Sequence, residues 1–448
     1  MKMWLVLISL LSLIRFSYAE EGLTIVAVGE AEVEQDKMAF VVSNIPGNAN
    51  SSQKKLINEM QSLFQNDFSF YKQYFDVMNS QGYESLGKAK NFSGLKGKNL
   101  RFLILSAYEL APGGQISTEI NLYDVNSEEK LTTIKETFST NNTREIGHQL
   151  TDKIFRTIKN DESIFKSKII FVSDRNTTSS KQIKELYMMD FDGRNPTQLT
   201  RHGGTVISPA ISFDGKKVIY SLIKNNRNKN RNVNLYVMDL STKKARVLSY
   251  RKGINSGAVF MPDGENIALT MSHQGNAEIY ALNINSGATR RITRHFAPDV
   301  DPSFNRDGTR MVFLSGRSGS RKPMIYIADP RSQEKDVKRR GFVGDYNATP
   351  RFSPDGEEVA FSSWMDGKFD IFRINQDGRH LYRLTKDFGS NEDPTYSNDG
   401  QFIAFSSQRV LSQSKAVQNI YIMTREGEIL GQVTENFGNC STPRWSKY

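Results

Sequence analysis

The chain has 448 residues, of which 38% are hydrophobic and 24% charged. That balance is too apolar for a disordered chain and too charged for a membrane-embedded one. Lys plus Arg exceed Asp plus Glu by 59 − 49 = 10, and one cysteine, Cys440, with five scattered histidines excludes a disulfide framework, a cysteine-based zinc site and an iron–sulfur cluster.

Met1-Lys2-Met3 is a short positive start, Trp4–Ile14 an apolar run, and Ser17-Tyr18-Ala19 places small residues three before and one before a cut after Ala19. This is the layout of a secretion signal over residues 1–19. The run is too short to span a bilayer, which takes about 20 apolar residues as a helix. With no cysteine after the cut, a lipid-anchored product is not expected. Removal takes away Lys2 and Arg15, leaving +10 − 2 = +8. The expected product is exported and soluble, and a lone cysteine leaves its stability to packing.

Residues 20–160 read as a small α+β domain. Its first segment is acidic with short apolar insertions: Glu20, Glu21, Leu23, Ile25, Val26 and Val28. It reads either as a buried first strand or as an arm that adds to a partner's sheet edge. Residues 37–44 read as a strand and 51–64 as a helix; 101–107 read as a buried strand, followed by a pair over 115–123 and 131–138. Residues 144–158 close the domain as a helix with Ile146, Leu150, Ile154 and Ile158 at fourfold spacing, and Thr143 is its expected N-cap. Residues 161–168 read as a charged linker.

From residue 169 to 448 the chain repeats itself about every 46 residues. Asp-Gly pairs end at Gly215, Gly264, Gly308, Gly356 and Gly400, spaced 49, 44, 48 and 44 apart. Each follows a segment such as Pro350-Arg351-Phe352-Ser353-Pro354 and precedes one such as Val359-Ala360-Phe361-Ser362. Six second halves match one another, from Glu185, Asn234, Glu278, Met324, Asp370 and Asn419, against five complete first halves. The sixth first half is split between the two ends: Ile169–Ser173 matches Val359–Ser363, and Pro443–Ser446 matches Pro350–Ser353. A closed ring of six units requires such a split. Short β-branched and aromatic runs between Ser-Pro-Asp-Gly turns make each unit a four-stranded antiparallel sheet. The expected architecture is an α+β N-terminal domain followed by an all-β six-bladed β-propeller, closed by pairing of the N- and C-terminal strands of the repeat region.

Motifs for chemistry are missing. Gly82-Tyr83-Glu84-Ser85-Leu86-Gly87-Lys88 nearly spells a phosphate loop, but Ala89 removes the hydroxyl needed for Mg²⁺. No Gly-x-Ser-x-Gly elbow and no His-Glu-x-x-His occurs. Asp190-Phe191-Asp192-Gly193 has a calcium-loop flavour but sits where the other repeats carry a hairpin turn. Basic residues fall in loops such as 224–231 and 335–340 without interleaved aromatics, so nucleic-acid binding is not expected; these loops read as solvated, facing anionic envelope material. No catalytic residue, cofactor or metal is assigned.

In a propeller the loops that lead into the innermost strands ring one mouth of the channel. Here they hold His202, Thr205, Asn255, Asp299, Val300, Asp301, Tyr346, Asn347, Asn391, Glu392 and Asn439. A mixed acidic and amide ring with a Tyr and a His suits a peptide or protein ligand, while some of these residues cap strands or serve as turns before a proline.

The secretion signal, the α/β domain, the six Ser-Pro-Asp-Gly blades, the stretch Asn234–Leu240 and the terminal Trp445-Ser446-x-Tyr448 together resemble the TolB family of bacterial periplasmic proteins. The resemblance implies a periplasmic, non-enzymatic part of the Tol–Pal envelope system, expected as a monomer. In that family the propeller mouth binds the peptidoglycan-associated lipoprotein and the mature N-terminal segment, here residues 20–31, binds TolA, which serves outer-membrane integrity and constriction at cell division. Carried over by position, the lipoprotein site falls on the mouth loops, with Asn255, Val300 and Asn347 among its candidates. Similar propellers also receive colicin or phage-derived peptides. Ile254 and Val300 stand where better-known members carry polar residues, and the loop at Arg201-His202 is worded differently. The alternative reading is a periplasmic hydrolase or lactonase acting at the channel mouth.

Overall fold

A computed structural model describes residues 34–223, 232–319, 322–412 and 415–446. The secretion signal and the segment of residues 20–31 lie outside the described residues.

The N-terminal domain is a five-stranded mixed sheet with helices on both faces. Strands β1 (Asp36–Asn44), β2 (Phe75–Met78), β3 (Phe102–Leu110), β4 (Ile116–Asp124) and β5 (Glu129–Phe138) run in the order β2-β1-β3-β4-β5. Helix α1 (Ser51–Phe70) starts at Asn50, whose side chain accepts from the Gln53 N–H while Gln53 answers the Asn50 N–H, a capping box. Its stripe of Leu56, Ile57, Met60, Leu63, Phe64 and Phe68 is buried against the sheet. The short α2 (Glu84–Lys88) and α3 (Phe92–Lys96) cover the other face, so the near-phosphate loop is a helical turn. Helix α4 (Thr143–Lys159) packs on α1 where Gly147 leaves room; a Cβ there would lie 2.8 Å from Leu63. Thr143 is the first helical residue and not the N-cap: its hydroxyl donates back to the Ser139 carbonyl at 2.7 Å, and Asn142 precedes the helix. The residues read as a charged linker also turn inward. Ser163, Ile164, Phe165 and Ser167 are buried, and the first propeller strand begins at Lys168.

The propeller has six four-stranded antiparallel sheets. Their innermost strands, Thr205–Ile211, Asn255–Phe260, Asp299–Phe304, Asn347–Phe352, Ser390–Tyr396 and Cys440–Trp445, neighbour one another around the axis. We number the blades 1 to 6 from the one that holds Lys168–Ser173. The strand Cys440–Trp445 pairs with Lys168–Ser173, so blade 1 is built from both ends of the repeat region, as the split repeat requires. Closure is tight. Ser446 and Lys168 exchange hydrogen bonds at 2.8 Å, and buried Trp445 donates Nε1–H to Ser167 at 2.7 Å while stacking on Phe402. Each innermost strand breaks register at one residue with φ between 46° and 61°: Ser208, Gly257, Asp301, Thr349, Asp393 and Thr442. These six bulges bend the strands where they crowd the axis.

A side-chain latch repeats between blades. In four blades an acid or amide in the mouth-side half of the third strand and a threonine fifteen residues later meet, as Glu185–Thr200, Glu278–Thr293, Asp370–Thr385 and Asn419–Thr434. Each threonine hydroxyl donates to the acid or amide and accepts a strand N–H at 2.8–2.9 Å. The acids are almost fully buried, and Glu185 and Glu278 also receive the N–H of Gly203 and His295 from the loop that leads to the next blade. A desolvated carboxylate that collects two or three donors fixes that loop.

The two domains share one core. Phe68, Tyr71, Phe155 and Phe165 of the first domain and linker cluster with Phe191, Phe402 and Trp445 of the propeller. Buried Tyr71 donates to Asp399 at 2.6 Å and accepts from the Ile164 N–H at 2.9 Å. Two outcomes are expected in urea unfolding. Trp445→Ala lowers stability by ~3–5 kcal/mol through the cavity it leaves. Thr293→Val, which takes one donor from the buried Glu278 carboxylate and the acceptor from the Ile279 N–H, costs ~1–3 kcal/mol.

Candidate functional site

Among the described residues the polar contacts of the N-terminal domain with the propeller go to turns of one face, beside the shared apolar core. Asp399 and Gln401 belong to the Asp-Gly turn of blade 6; Glu428 and Asp192 belong to the hairpin turns between third and fourth strands of blades 6 and 1. The loops that lead into the innermost strands lie at the opposite end of every blade, so the mouth they ring is not covered by the described residues of the first domain.

Residues singled out in those loops divide into two sets. Asn255, Asp299, Asn347 and Asn391 are fully buried and serve the joints between blades. Asn255 accepts from Ser249 at 2.6 Å and donates to the Val233 and Arg251 carbonyls. Asn347 donates to the Val343 carbonyl and Ser363, and Asn391 to Asp370 and Thr385. Asp299 is paired with Arg317 at 2.7 Å, and burial pushes its carboxyl up to about 6. Their amides and carboxylates are turned away from the mouth surface. Spacing alone could not separate them from their neighbours.

His202, Thr205, Val300, Asp301, Tyr346, Glu392 and Asn439 stay at least partly accessible. His202 is bonded to the Tyr220 hydroxyl at 2.8 Å, Asp301 to Arg351 at 3.0 Å, and Asn439 bridges Asp174 and the Gln418 N–H. Tyr346 stacks on Trp364. Residues just before the bulge of each innermost strand, Ile207, Ser256, Val300, Ala348, Glu392 and Ser441, form a half-buried ring with one charge. Burial, reinforced by neighbouring Asp393, lifts the Glu392 carboxyl to about 7.

The structure adds residues that sequence reasoning missed. The third strand of each blade carries an aromatic ring whose mouth-side face needs a cover. In blades 1, 2 and 6 the preceding loop supplies it: Phe437 on Tyr187 at 5.0 Å, His202 over Tyr236 at 5.4 Å and Phe388 on Tyr421 at 5.1 Å. In blades 3, 4 and 5 other side chains sit beside that ring: His273 by Tyr280, Arg317 by Tyr326 and Arg383 by Phe372. The loop aromatics of those three blades are left in solvent. Tyr250 is 77% exposed, Phe296 87% and Phe342 64%, with Ile254 beside them. Exposed Val410 and Leu411 project from the hairpin of blade 6 on the same face. An exposed apolar arc within a polar rim is the composition of a protein-binding surface.

The one group of acids and histidine with metal-like spacing among the described residues is His148, Asp190 and Asp192, at the domain junction. Arg144 binds Asp192 and faces Asp190, and Lys168 pairs with Asp190, so cations of the chain itself already fill that place. The Asp-Phe-Asp-Gly segment is therefore a turn that locks the domains, with Phe191 buried.

Glu392 supplies a pH test. A carboxyl raised from 4.5 to about 7 in the folded state contributes stability below pH 4.5 that is lost as pH rises through 7. Glu392→Gln is expected to match the wild type near pH 4.5 and to exceed it at pH 8, by ~3 kcal/mol at most. Thermal melts at the two pH values check this.

Comparison with known proteins places the chain. The sequence model described as the TolB beta propeller domain matches residues 155–350 and 320–414. A protein TolB homolog of Chlorobium luteolum is 30% identical over 186 residues, 42% of this chain and 39% of that protein. The Tol-Pal system protein TolB of Francisella tularensis subsp. mediasiatica is 24% identical over 313 residues, 68% of this chain and 69% of its own. The chain thus spans about two fifths of the first and two thirds of the second. The crystal structure of TolB from Acinetobacter baumannii superposes with a TM-score of 0.74 at 22% identity, over 92% of this chain and 97% of that one, a likeness of fold. With the family model spanning more than half its length, the chain belongs to the TolB β-propeller family.

Proposed function

We propose that this protein is a non-enzymatic binding scaffold of the Tol–Pal system, acting in the periplasm. Its propeller mouth takes the peptidoglycan-associated lipoprotein and its N-terminal segment, residues 20–31, takes TolA, linking envelope layers for outer-membrane integrity and constriction during division. The Francisella relative's description as a Tol-Pal system protein supports the system. The observation that carries the mouth is the arc of Tyr250, Phe296 and Phe342, three large side chains left in solvent by the covers beneath them, on the face the described residues of the first domain leave open. Rigid aromatic anchors dominate the energy of protein interfaces. Thr205, Val300, Asp301, Tyr346, Glu392 and Asn439 form the polar and central part of the proposed surface, with His202 at its edge. Buried Asn255, Asp299, Asn347 and Asn391 act in it by holding the loops.

Calorimetric titration of residues 20–448 with the soluble domain of the same organism's lipoprotein is expected to give saturable binding. Tyr250→Ser, Phe296→Ser and Phe342→Ser together weaken it by tenfold or more, ~1.4 kcal/mol. Binding that the triple variant leaves unchanged moves the site elsewhere; no binding overturns the role.

A further inference from the structure

Among the described residues, the face that carries the N-terminal domain is covered over blades 6 and 1 and open over blades 4 and 5. There the fold leaves a groove of about 710 Å³ between the Asp-Gly turn of blade 4, its outermost strand and the turns of blade 5. Ile327 is the single apolar side chain lining it. Without apolar anchors such a groove does not suit a protein interface core.

The charges lining it are divided unequally. Asp336 is paired with Arg310 at 3.0 Å, Asp355 with Arg425 at 3.0 Å and Asp377 with Arg379 at 2.8 Å. Asp307 accepts from Thr309 at 2.7 Å. Three cations, Arg306, Lys338 and Arg340, line the same groove with no hydrogen bond or ion pair from their side chains among the described residues. Arg340 is held in place: its Cδ lies against Gly378, where a Cβ would come within 3.1 Å, and its buried Nε has no partner. The seam on the other side of blade 5 is closed, because Arg425 reaches across it to both Asp355 and Glu358. A buried guanidinium N–H without an acceptor is an unmet interaction that a ligand oxygen can satisfy.

We propose that this groove binds an anionic carbohydrate. Its carboxylate or phosphate would meet Arg306, Lys338 and Arg340, while hydroxyls donate to the carboxylates of Asp307 and Glu357. The volume is within the range of small-ligand sites and accommodates a short oligosaccharide. The site is distinct from the mouth, so the two readings stand or fall separately.

The test is saturation-transfer NMR and calorimetry on the full mature chain. The probes are a hyaluronan tetrasaccharide for the carboxylate, glucose 1,6-bisphosphate for the phosphate, and neutral chitotetraose as control. The expected result is saturable binding of at least one anionic sugar, weaker or absent binding of chitotetraose, and a loss of tenfold or more in Arg306→Gln/Lys338→Gln/Arg340→Gln. Arg306→Glu, on an exposed turn, gives the same direction if the triple variant does not fold. The proposal is overturned if neither anionic sugar binds, if chitotetraose binds as well as they do, or if the variants leave binding unchanged.

Discussion

A ring of sheets has no free edge only if one sheet is assembled from both ends of the chain, and everything else in this molecule depends on that closure. The pairing of Cys440–Trp445 with Lys168–Ser173 completes blade 1. It also brings Trp445 into the cluster through which α1, the linker and blade 6 meet. Closing the ring and attaching the first domain are therefore one packing event. The domain's own aromatic residues, Phe68, Tyr71 and Phe155, finish a core that the propeller's closing strand begins. That geometry assigns the two faces their roles: one is taken up by the domain junction, and the other is left as an open mouth.

The mouth is then shaped by a competition for space. Every blade must cover the aromatic ring of its third strand, and either a loop side chain or a side chain from the blade's own hairpins or outer strand can do it. Where His273, Arg317 or Arg383 lies over the ring, the loop aromatic has no place to go but solvent. The Glu278 latch holds the loop of Phe296 from below, and buried Asn255 and Asn347 bond the Arg251 and Val343 carbonyls in the loops of Tyr250 and Phe342, so the exposed side chains stand on a rigid base. Preorganisation of that kind reduces the entropy lost on binding.

Much of the fold was legible because it rests on local rules. Asp-Gly turns, alternating strands and the repeat split across residues 169–173 and 443–446 all speak at short range. The acid or amide and the threonine of the four latches were visible as repeated letters too, yet their meeting across fifteen residues is a property of the folded sheet. The site was less legible. Asn255 and Glu392 stand in equivalent loops and look alike as polar mouth residues, but one is an interior joint and the other lines the channel. Phe296 and Phe388 occupy matching places in their repeats, Thr293-Arg294-His295-Phe296 and Thr385-Lys386-Asp387-Phe388. One is exposed and the other half-buried, because the difference lies in Arg317, a residue of another strand connection. The linker misled for a similar reason: its charged letters hid Ile164 and Phe165, which the shared core draws inward.

The most direct test of the account is hydrogen–deuterium exchange of the full mature chain, alone and with the soluble domain of the peptidoglycan-associated lipoprotein. The account predicts new protection confined to the mouth loops, residues 250–254, 294–298, 340–346 and 388–392, with the Asp-Gly turns of blades 2 to 5 unchanged. Protection on those turns with the mouth loops still exchanging freely would contradict it.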